Sequence, residues 1–407
     1  MVDKVKIVER IIGAKYFSDD IQLNRSKCPS VRNAKIKCRV CEEICPAQAI
    51  KINGRFISIE EDKCIHCGAC IAVCPTEAFS SSWITWKDLL EDSLKSIEGT
   101  GGHPIITCAN TLGKLPQQDD YDRTKVIELP CLDRVDESLL LTLAASGAQD
   151  IRLVCANCET CEDGCMGAVW SLVVEYAQDM LASVDSTCQI LHLDELPQDA
   201  FDIEHVTAAN NQVSRRDMLL GSRDRVAHIA TDIADEYIEE SHFRNYAKAL
   251  GITKEDSPII TASRGRICEW ALGALALKAS GSSADAAISK FSGRMMPSRI
   301  FSNIRIDGKK CTSCYLCTTY CRTVAIAKIL ENHKVLGFEA TPSRCVQCNA
   351  CLDVCRENAI ELDRLIDVAD LLQEKSVKFT YKEWDEIAAL EKAKTAEKTP
   401  PDEQDML

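Results

Sequence analysis

The sequence is poor in the features that mark membrane proteins, secreted proteins and familiar enzyme classes. No apolar run approaches the roughly 18 residues that a membrane span needs, and the richest, residues 271–279, is followed by serine and glycine. Residues 1–6 open without an apolar signal segment, so we expect a cytoplasmic protein. The seven histidines form no metal-binding pair, and there is no well-placed dinucleotide fingerprint, P-loop or nucleophile motif. A net charge of −14 argues against nucleic acid and anionic membrane surfaces as partners.

Cysteine, in contrast, is abundant, and its spacing is that of metal ligands. The chain has 24 cysteines in 407 residues, and an intracellular protein rarely keeps disulfides. Residues 64–75 run C-x2-C-x2-C-x3-C-P, the spacing that wraps cubane iron–sulfur clusters. The first three thiolates of such a run reach one cluster, and the fourth usually ligates a second cluster supplied by a sister run. We therefore expect a sister run elsewhere in the chain.

The sister run precedes residues 64–75 in altered form. Cys38, Cys41 and Cys45 keep the last three ligand positions, but Lys35 stands where the first cysteine is expected. We predict that Cys28, seven residues before Lys35, supplies the missing ligand, because without it the cubane would have three ligands. The alternative is that Cys28 is a buried spare thiol.

A β-hairpin is predicted between the two runs, where alternating segments flank Asn53-Gly54. Zinc is the alternative metal for these cysteines, but zinc sites usually pair two C-x2-C knuckles and do not need eight cysteines in interleaved runs. With its hairpin and its two runs, the stretch 26–82 resembles the bacterial two-cluster ferredoxins. The resemblance implies one [4Fe–4S] cluster on Cys28, Cys38, Cys41 and Cys74, and another on Cys45, Cys64, Cys67 and Cys70.

The same theme returns near the C-terminus, where residues 311–321 and 345–355 both show the C-x2-C-x2-C-x3-C spacing around a predicted hairpin at 331–333. Arg322 and Arg356 replace the prolines that usually follow the last cysteine. Because a guanidinium stabilises the charge that a cluster gains on reduction, we expect this half to have the higher reduction potential and to receive electrons from the N-terminal half. The stretch 303–362 resembles the same ferredoxins, which implies one [4Fe–4S] cluster on Cys311, Cys314, Cys317 and Cys355, and another on Cys321, Cys345, Cys348 and Cys351.

The middle of the chain has a different periodicity. Three short apolar runs end in Cys108, Cys131 and Cys155, and a fourth run covers residues 188–193. Helical patterns follow the second and third runs, over residues 135–145 and 166–181. Strands that alternate with helices predict a parallel sheet, so we expect the three cysteines to lie at the edge of the sheet where ligands gather.

A further cysteine run follows the third strand. Cys155, Cys158, Cys161 and Cys165 have cubane-like spacing, but no sister run accompanies them. Since the fourth cysteine of such a run points away, we expect the fourth ligand of a central cluster to come from Cys108 or Cys131. Independent structural cysteines at the three strand ends are the alternative.

The placement of Cys108, the Leu129-Pro130-Cys131 step, Gly147-Ala148 and the Cys155 loop resembles a second family. Over residues 102–197 the chain is similar to the iron–sulfur delta subunit of methyl-viologen-reducing hydrogenases, a domain that is also attached to some heterodisulfide reductase subunits. The sequence departs from that family at the last loop, where its cysteine run replaces the family's loop with adjacent histidine and tyrosine. The family implies a [2Fe–2S] centre, whereas the spacing favours [4Fe–4S].

Together these features predict an α+β and α/β multidomain protein, with two ferredoxin-like dicluster domains flanking a small parallel-sheet α/β domain and a helical linker. Residues 214–219 resemble a twin-arginine signal, but no apolar stretch follows, so we interpret them as a surface or docking segment. Cys188 and Cys268 are predicted to be small buried apolar residues. The predicted parts are a lead-in (1–25), a dicluster ferredoxin domain (26–82), a linker helix (83–101), an α/β iron–sulfur domain (102–197), a helical linker region (198–302), a second dicluster domain (303–362) and a charged helical tail (363–407).

Five candidate clusters without recognisable machinery for bond chemistry predict an electron conduit. We expect an electron-transfer subunit of a cytoplasmic anaerobic redox complex, with catalytic dehydrogenase, hydrogenase or reductase subunits as partners and a soluble ferredoxin or flavoprotein as a further carrier. The alternative is an oxidoreductase with its own active site, a substrate-binding cluster or a flavin, in the central domain. An iron–sulfur redox sensor is a third class, which the lack of a basic DNA-binding element disfavours.

Overall fold

The structure is a computed structural model. It describes residues 21–81, 84–113, 121–155, 158, 161, 167–201, 263–281, 283–381 and 384. The twin-arginine-like segment, Cys165, most of the predicted helical region and the end of the tail lie outside the described residues. No helix within these residues is long and apolar enough to cross a membrane.

The first ferredoxin unit is built from two small antiparallel sheets and short helices. Its elements are strand β1 (Ile21–Leu23), helices α1 (Pro29–Arg32) and α2 (Val40–Ile44), strands β2 (Ile50–Asn53) and β3 (Phe56–Ile59), helix α3 (Ala69–Val73) and strand β4 (Phe79–Ser81). The predicted hairpin is present, with Asn53 opposite Phe56 and Gly54 in the left-handed region. Strand β1 pairs with β4, so the unit begins before residue 26. Three residues are too few to show an alternating pattern, which is why the sequence did not indicate this strand.

The linker helix and the central sheet follow. Their elements are helix α4 (Trp86–Gly99), strand β5 (Ile105–Cys108), helix α5 (Ala109–Gly113), strand β6 (Val126–Leu129), helix α6 (Glu137–Ala145), strand β7 (Asp150–Val154), helix α7 (Ala168–Ser183) and strand β8 (Gln189–Leu193). Helix α4 begins at Trp86 rather than at Trp83, because Thr85 and Asp88 form a reciprocal capping box. The strands lie in the order β6-β5-β7-β8, and all their pairings are parallel. The predicted parallel sheet is confirmed.

The helical region before the second ferredoxin unit belongs to the core. Its described elements are helix α8 (Arg264–Ser280), helix α9 (Ala284–Phe291) and strand β9 (Met295–Pro297). Helix α8 packs along α6, and Cys268, Leu272 and Ala276 on it are fully buried. One buried apolar cluster contains residues of α8, the central sheet and the first ferredoxin unit. The described helical part of the predicted linker therefore holds these units together rather than separating them.

The second ferredoxin unit repeats the plan of the first. Its elements are strand β10 (Asn303–Ile306), helix α10 (Leu316–Tyr320), strands β11 (Ile326–Glu331) and β12 (Lys334–Ala340), helix α11 (Ala350–Val354), strands β13 (Ile360–Asp363) and β14 (Leu365–Asp367), helix α12 (Val368–Leu372) and strand β15 (Val377–Thr380). Strand β10 pairs with β13, and β11 pairs with β12 around a turn at Asn332 and His333, both of which have positive φ. Strand β15 pairs with β12, and β14 pairs with β9. The described part of the predicted charged helical tail thus contains strands β14 and β15 as well as helix α12. Residues 377–380 of β15 alternate apolar and polar side chains, as a strand does.

Candidate cluster-binding sites

The cysteines of the two ferredoxin units converge in four sets. Each set takes three cysteines from one run and one cysteine from the sister run, as the resemblance implies. We number them in spatial order: set 1 is Cys45, Cys64, Cys67 and Cys70; set 2 is Cys28, Cys38, Cys41 and Cys74; set 3 is Cys321, Cys345, Cys348 and Cys351; and set 4 is Cys311, Cys314, Cys317 and Cys355.

Set 2 includes the cysteine that stands outside the usual spacing. Cys28 is the N-cap residue of α1 and is buried with Cys41 and Cys74. Burial raises the pKa of Cys28, and the neighbouring Cys74 thiolate raises it further. Burial, followed by repulsion from Cys74, Cys38 and Cys28, raises the pKa of Cys41 to about 12. The loop after Cys28 therefore returns this side chain to the other three thiols.

The last cysteine of each of the four ferredoxin runs accepts a hydrogen bond from a backbone N–H four residues later. Ala49 donates to Cys45 Sγ over 3.3 Å, and Ala325 donates to Cys321 Sγ over 3.1 Å. The residue just before each donor has a positive φ, which turns the N–H toward sulfur. The other two bonds are Ala78 to Cys74 (3.2 Å) and Ala359 to Cys355 (3.3 Å), and the four turning residues are Gln48, Glu77, Val324 and Asn358.

These donors and thiols fit an iron–sulfur cluster. Burial, and after it the charges of neighbouring cysteines in the same set, raise the pKa of Cys317 and that of Cys345 to about 12. Bound iron would compensate these negative charges, and N–H groups directed at sulfur would stabilise the thiolate ligands. No group of three or more His, Cys, Asp or Glu in the described part of the chain is packed closely enough to hold a single metal ion. The thiols of each set therefore lie near enough to repel one another, but not in the tight shell that one ion needs.

The two ferredoxin units meet where set 2 approaches set 3. Ile36 packs against Ala350 and Val354 in a buried cluster that also touches Cys38 and Cys348. The Cys38 thiolate helps to raise the pKa of Cys348 to about 11, after burial and repulsion from Cys321. Two cysteines of different sets are therefore neighbours across the contact between the units.

The other neighbouring sets are also linked, because helix α2 contacts α3 and helix α10 contacts α11, and together the four sets form a series. In set 1, burial raises the pKa of Cys70, and Cys41 of set 2 adds to the shift. In set 3, burial raises the pKa of Cys351, and Cys317 of set 4 adds to the shift. Set 4 is the last in the series, and it contains Cys314, the only exposed cysteine among the described ones.

The central cysteines lie at the switch point of the parallel sheet. Strand β5 has β6 on one side and β7 on the other, so the chain changes direction between β5 and β7, where α/β sheets bind ligands. Cys108 ends β5 and Cys155 follows β7. The Sγ atoms of Cys155 and Cys158 are 2.7 Å apart, and a hydrogen bond from the Cys155 thiol lowers the pKa of Cys108 to about 6 and that of Cys158 to about 7.

The remaining cysteines of the middle region are placed differently. Asn110 Nδ2 donates to Cys161 Sγ over 3.3 Å, which puts Cys161 beside the start of α5. Cys131 is buried after β6 at the same edge of the sheet, and its Sγ accepts from Asp133 N at 3.5 Å. Because β5 and not β6 neighbours β7, and Cys108 is hydrogen-bonded to Cys155, Cys108 is the better candidate of the two predicted fourth ligands. Cys188 lies before β8, at the opposite end of the sheet, and Cys268 is fully buried in α8, so both are small buried residues as predicted.

Some features of these sites were not predicted from the sequence. The four donor residues Ala49, Ala78, Ala325 and Ala359 all stand four positions after a cysteine, and this repeat is a signal that the sequence carries. The contact of Ile36 with α11 has no comparable signal, because it joins residues more than 300 positions apart.

Comparison with known proteins gives the same picture for the two ends of the chain. The model of the 4Fe-4S dicluster domain family matches residues 36–78, and a second 4Fe-4S dicluster model matches residues 293–360. A ferredoxin of Saccharopolyspora erythraea is 48% identical over 98 residues, which are 23% of this chain and 83% of the relative. The chain belongs to the 4Fe-4S ferredoxin family.

Other relatives differ in how much of their length matches. A ferredoxin of Mycolicibacterium smegmatis is 30% identical over 101 residues, 23% of this chain and 86% of the relative. One component of an ion-translocating oxidoreductase complex, from Methanosarcina acetivorans, is 46% identical over 43 residues, 11% of this chain, and the chain spans only 16% of that relative's length. No solved structure matches the chain significantly. Neither dicluster model covers the central sheet, so its resemblance to the hydrogenase delta subunit stays a hypothesis.

Proposed function

We propose that this ferredoxin-family chain is an electron-transfer subunit of a redox complex, with four [4Fe–4S] clusters on sets 1 to 4. The adjacency of Cys38 and Cys348 carries the proposal, because it joins the two ferredoxin units into one series. Bound clusters would supply one-electron carriers, and the chain would fix their order and surround them with amide donors.

The two ends of the series support separate entry and exit points. At one end, Cys314 of set 4 is exposed, so a soluble carrier could approach this set closely. At the other end, the turn Leu132–Arg134 contacts α3, whose Cys70 belongs to set 1, and it also contacts β5, which ends at Cys108. The central site therefore adjoins set 1, and we propose a fifth cluster there on Cys108, Cys155, Cys158 and Cys161, of the [4Fe–4S] or [2Fe–2S] type.

The partners we propose are one or more catalytic redox subunits, with a soluble ferredoxin or flavoprotein as a further carrier, in the cytoplasm. Similarity to a component of an ion-translocating oxidoreductase complex supports membership of a larger redox assembly. The net charge of −14 favours basic faces on those partners.

Coulometric reduction of the anaerobically purified full chain tests this function. We expect one electron per cluster, hence four electrons from sets 1 to 4 and a fifth from the central site, with matching iron and sulfide. Uptake of fewer than four electrons by fully loaded protein would contradict the series.

An oxidoreductase with its own active site is the second candidate. It is favoured by the position of Cys108 and Cys155 at the switch point, where α/β sheets commonly bind substrates and cofactors. A flavin absorption band, or a spectral change on addition of a substrate, would select this function over simple electron transfer.

A further inference from the structure

Arg134 is a buried cation at the junction of the central domain and set 1. It ends the 3-10 turn Leu132–Arg134 that follows Cys131, and only 8% of its surface is exposed. Its side chain lies directly on Gly68, which stands between Cys67 and Cys70: a Cβ on Gly68 would lie 2.5 Å from Arg134 Cδ. Glycine at position 68 is thus what allows the arginine to reach the loop of set 1.

The charge of Arg134 is only partly compensated by protein carboxylates. Asp136 is its ion-pair partner, but the closest approach, from Nη1, is a long 3.9 Å. Its Nε is buried without a hydrogen-bond partner among the described residues. It lines a small cavity together with His66 and Gly68 of the set 1 loop and with Pro130. Burying a guanidinium in this way is costly unless another negative group is near.

Besides Asp136, the negative group near Arg134 is the thiolate set. Desolvation lowers the pKa of Arg134 most, Asp136 opposes that effect, Arg264 lowers the pKa further, and the charge of Cys70 raises it. A guanidinium stays protonated at neutral pH, so Arg134 is a fixed positive charge beside set 1. Water screens a buried charge weakly, and the attraction grows when the set gains an electron.

Resting on the proposed function, we propose that Arg134 is a positioning residue that raises the reduction potential of the cluster on Cys45, Cys64, Cys67 and Cys70. A higher potential makes this cluster the better acceptor for electrons that leave the central site, and the turn that carries Arg134 contacts β5, which ends at Cys108. Two half-buried arginines also lie beside α3: Arg264 donates to the carbonyls of Ile71 and Cys74, and Arg299 donates to the carbonyl of Ala72.

The test is a potentiometric titration, followed by electron paramagnetic resonance, of the fully loaded full-length chain and of Arg134→Met. The component of set 1 is identified as the one that a Cys64→Ser variant loses. We expect Arg134→Met to make reduction of this component about tenfold less favourable, which is 59 mV lower for one electron. The potentials of sets 3 and 4 should not change. Arg123→Met, which removes one exposed arginine from the central domain, is the matched control and should leave all potentials unchanged.

A double variant keeps the proposal testable if the single one does not fold. In Arg134→Met with Asp136→Asn, no carboxylate is left without its ion-pair partner. The reduction potential of set 1 should still fall, because Arg134 rather than Asp136 contacts the loop. The fall should be smaller than in the single variant, because a negative charge is removed as well. An unchanged or raised potential of set 1 in a loaded variant would overturn the role of Arg134. Absence of the four clusters from the wild-type chain would instead overturn the proposed function.

Discussion

The backbone N–H of Lys37 donates to Oδ2 of Asp353 over 2.8 Å, between residues 316 positions apart in the chain. This bond lies beside the apolar contact of Ile36 with Ala350 and Val354. Both interactions involve neighbours of cysteines, since Cys38 follows Lys37 and Cys351 follows Ala350. The contact between the two ferredoxin units is thus also the contact between their candidate clusters.

Shortening Ile36 should weaken that contact. Loss of a buried isoleucine side chain costs about 2–5 kcal/mol, so we expect Ile36→Ala to loosen the two units and to slow electron transfer between set 2 and set 3. Pulse radiolysis of the loaded chain measures the rate. Val40→Ala, which truncates a side chain that is 40% exposed, is the control. A rate in Ile36→Ala equal to that of the control would show that electrons do not cross here.

Cys28→Ala should remove one ligand of set 2. Because Cys28 is buried with Cys41 and Cys74, we expect the variant to lose the iron of about one cubane or to hold a three-iron form. Iron analysis and paramagnetic resonance distinguish these results. Cys188→Ala, which truncates a buried cysteine outside the four sets, should keep its full iron content. If Cys28→Ala also keeps its iron and its spectrum, Cys28 is the spare buried thiol that we considered from the sequence.

The ferredoxin units and the parallel sheet could be predicted because their signals are local. The spacing of Cys64, Cys67 and Cys70 and the turn at Asn53-Gly54 each fall within a few residues. The position of α8 could not be predicted in this way. Its residues Cys268 and Leu272 are buried by a helix from another part of the chain, and no local pattern records such a partner.

Prediction of the candidate sites from the sequence has the same limit. Membership of Cys28 in set 2 followed from counting ligands and stays a prediction; the structure buries Cys28 in one cluster with Cys41 and Cys74. The choice between Cys108 and Cys131, in contrast, depends on the order of the strands, since β5 rather than β6 neighbours β7. Arg134 carried no signal, because an arginine in a sequence is ordinarily exposed.

The choice between the two central cysteines can be tested in the full chain. We expect Cys108→Ser to lose the fifth cluster and to take up one electron fewer, because Cys108 contacts Cys155. Cys131→Ser should retain both, since Cys131 follows β6, which does not neighbour β7 and its Cys155 loop. Loss of the fifth electron in Cys131→Ser alone would assign the ligand to Cys131, and no loss in either variant would make these cysteines structural.

The stability of the loaded chain should fall as the pH rises through neutrality because of Glu269 in α8. Burial raises the pKa of Glu269 to about 8 from its ordinary 4.5, although Arg266 opposes the shift. A carboxyl with a raised pKa is protonated in the folded protein and ionised in the unfolded one between these two values, so stability is lost from about pH 4.5 to about pH 8. Glu269→Gln should flatten the melting temperature measured from pH 6 to pH 9. An equal slope in wild type and variant would assign the pH dependence to other groups.

Arg322 and Arg356 should raise the reduction potentials of sets 3 and 4, but only modestly. Both guanidinium groups are exposed, so water screens them, and each effect should stay below the roughly 2 kcal/mol of a unit charge 6–8 Å away at an effective dielectric of about 20. Changing both to glutamine should lower these potentials and leave sets 1 and 2 unchanged, as redox titration of the loaded chain at low and high salt would show. The difference should shrink at high salt, because only exposed charges are screened in this way. Unchanged potentials at low salt would mean that these arginines do not direct electrons toward residues 303–362.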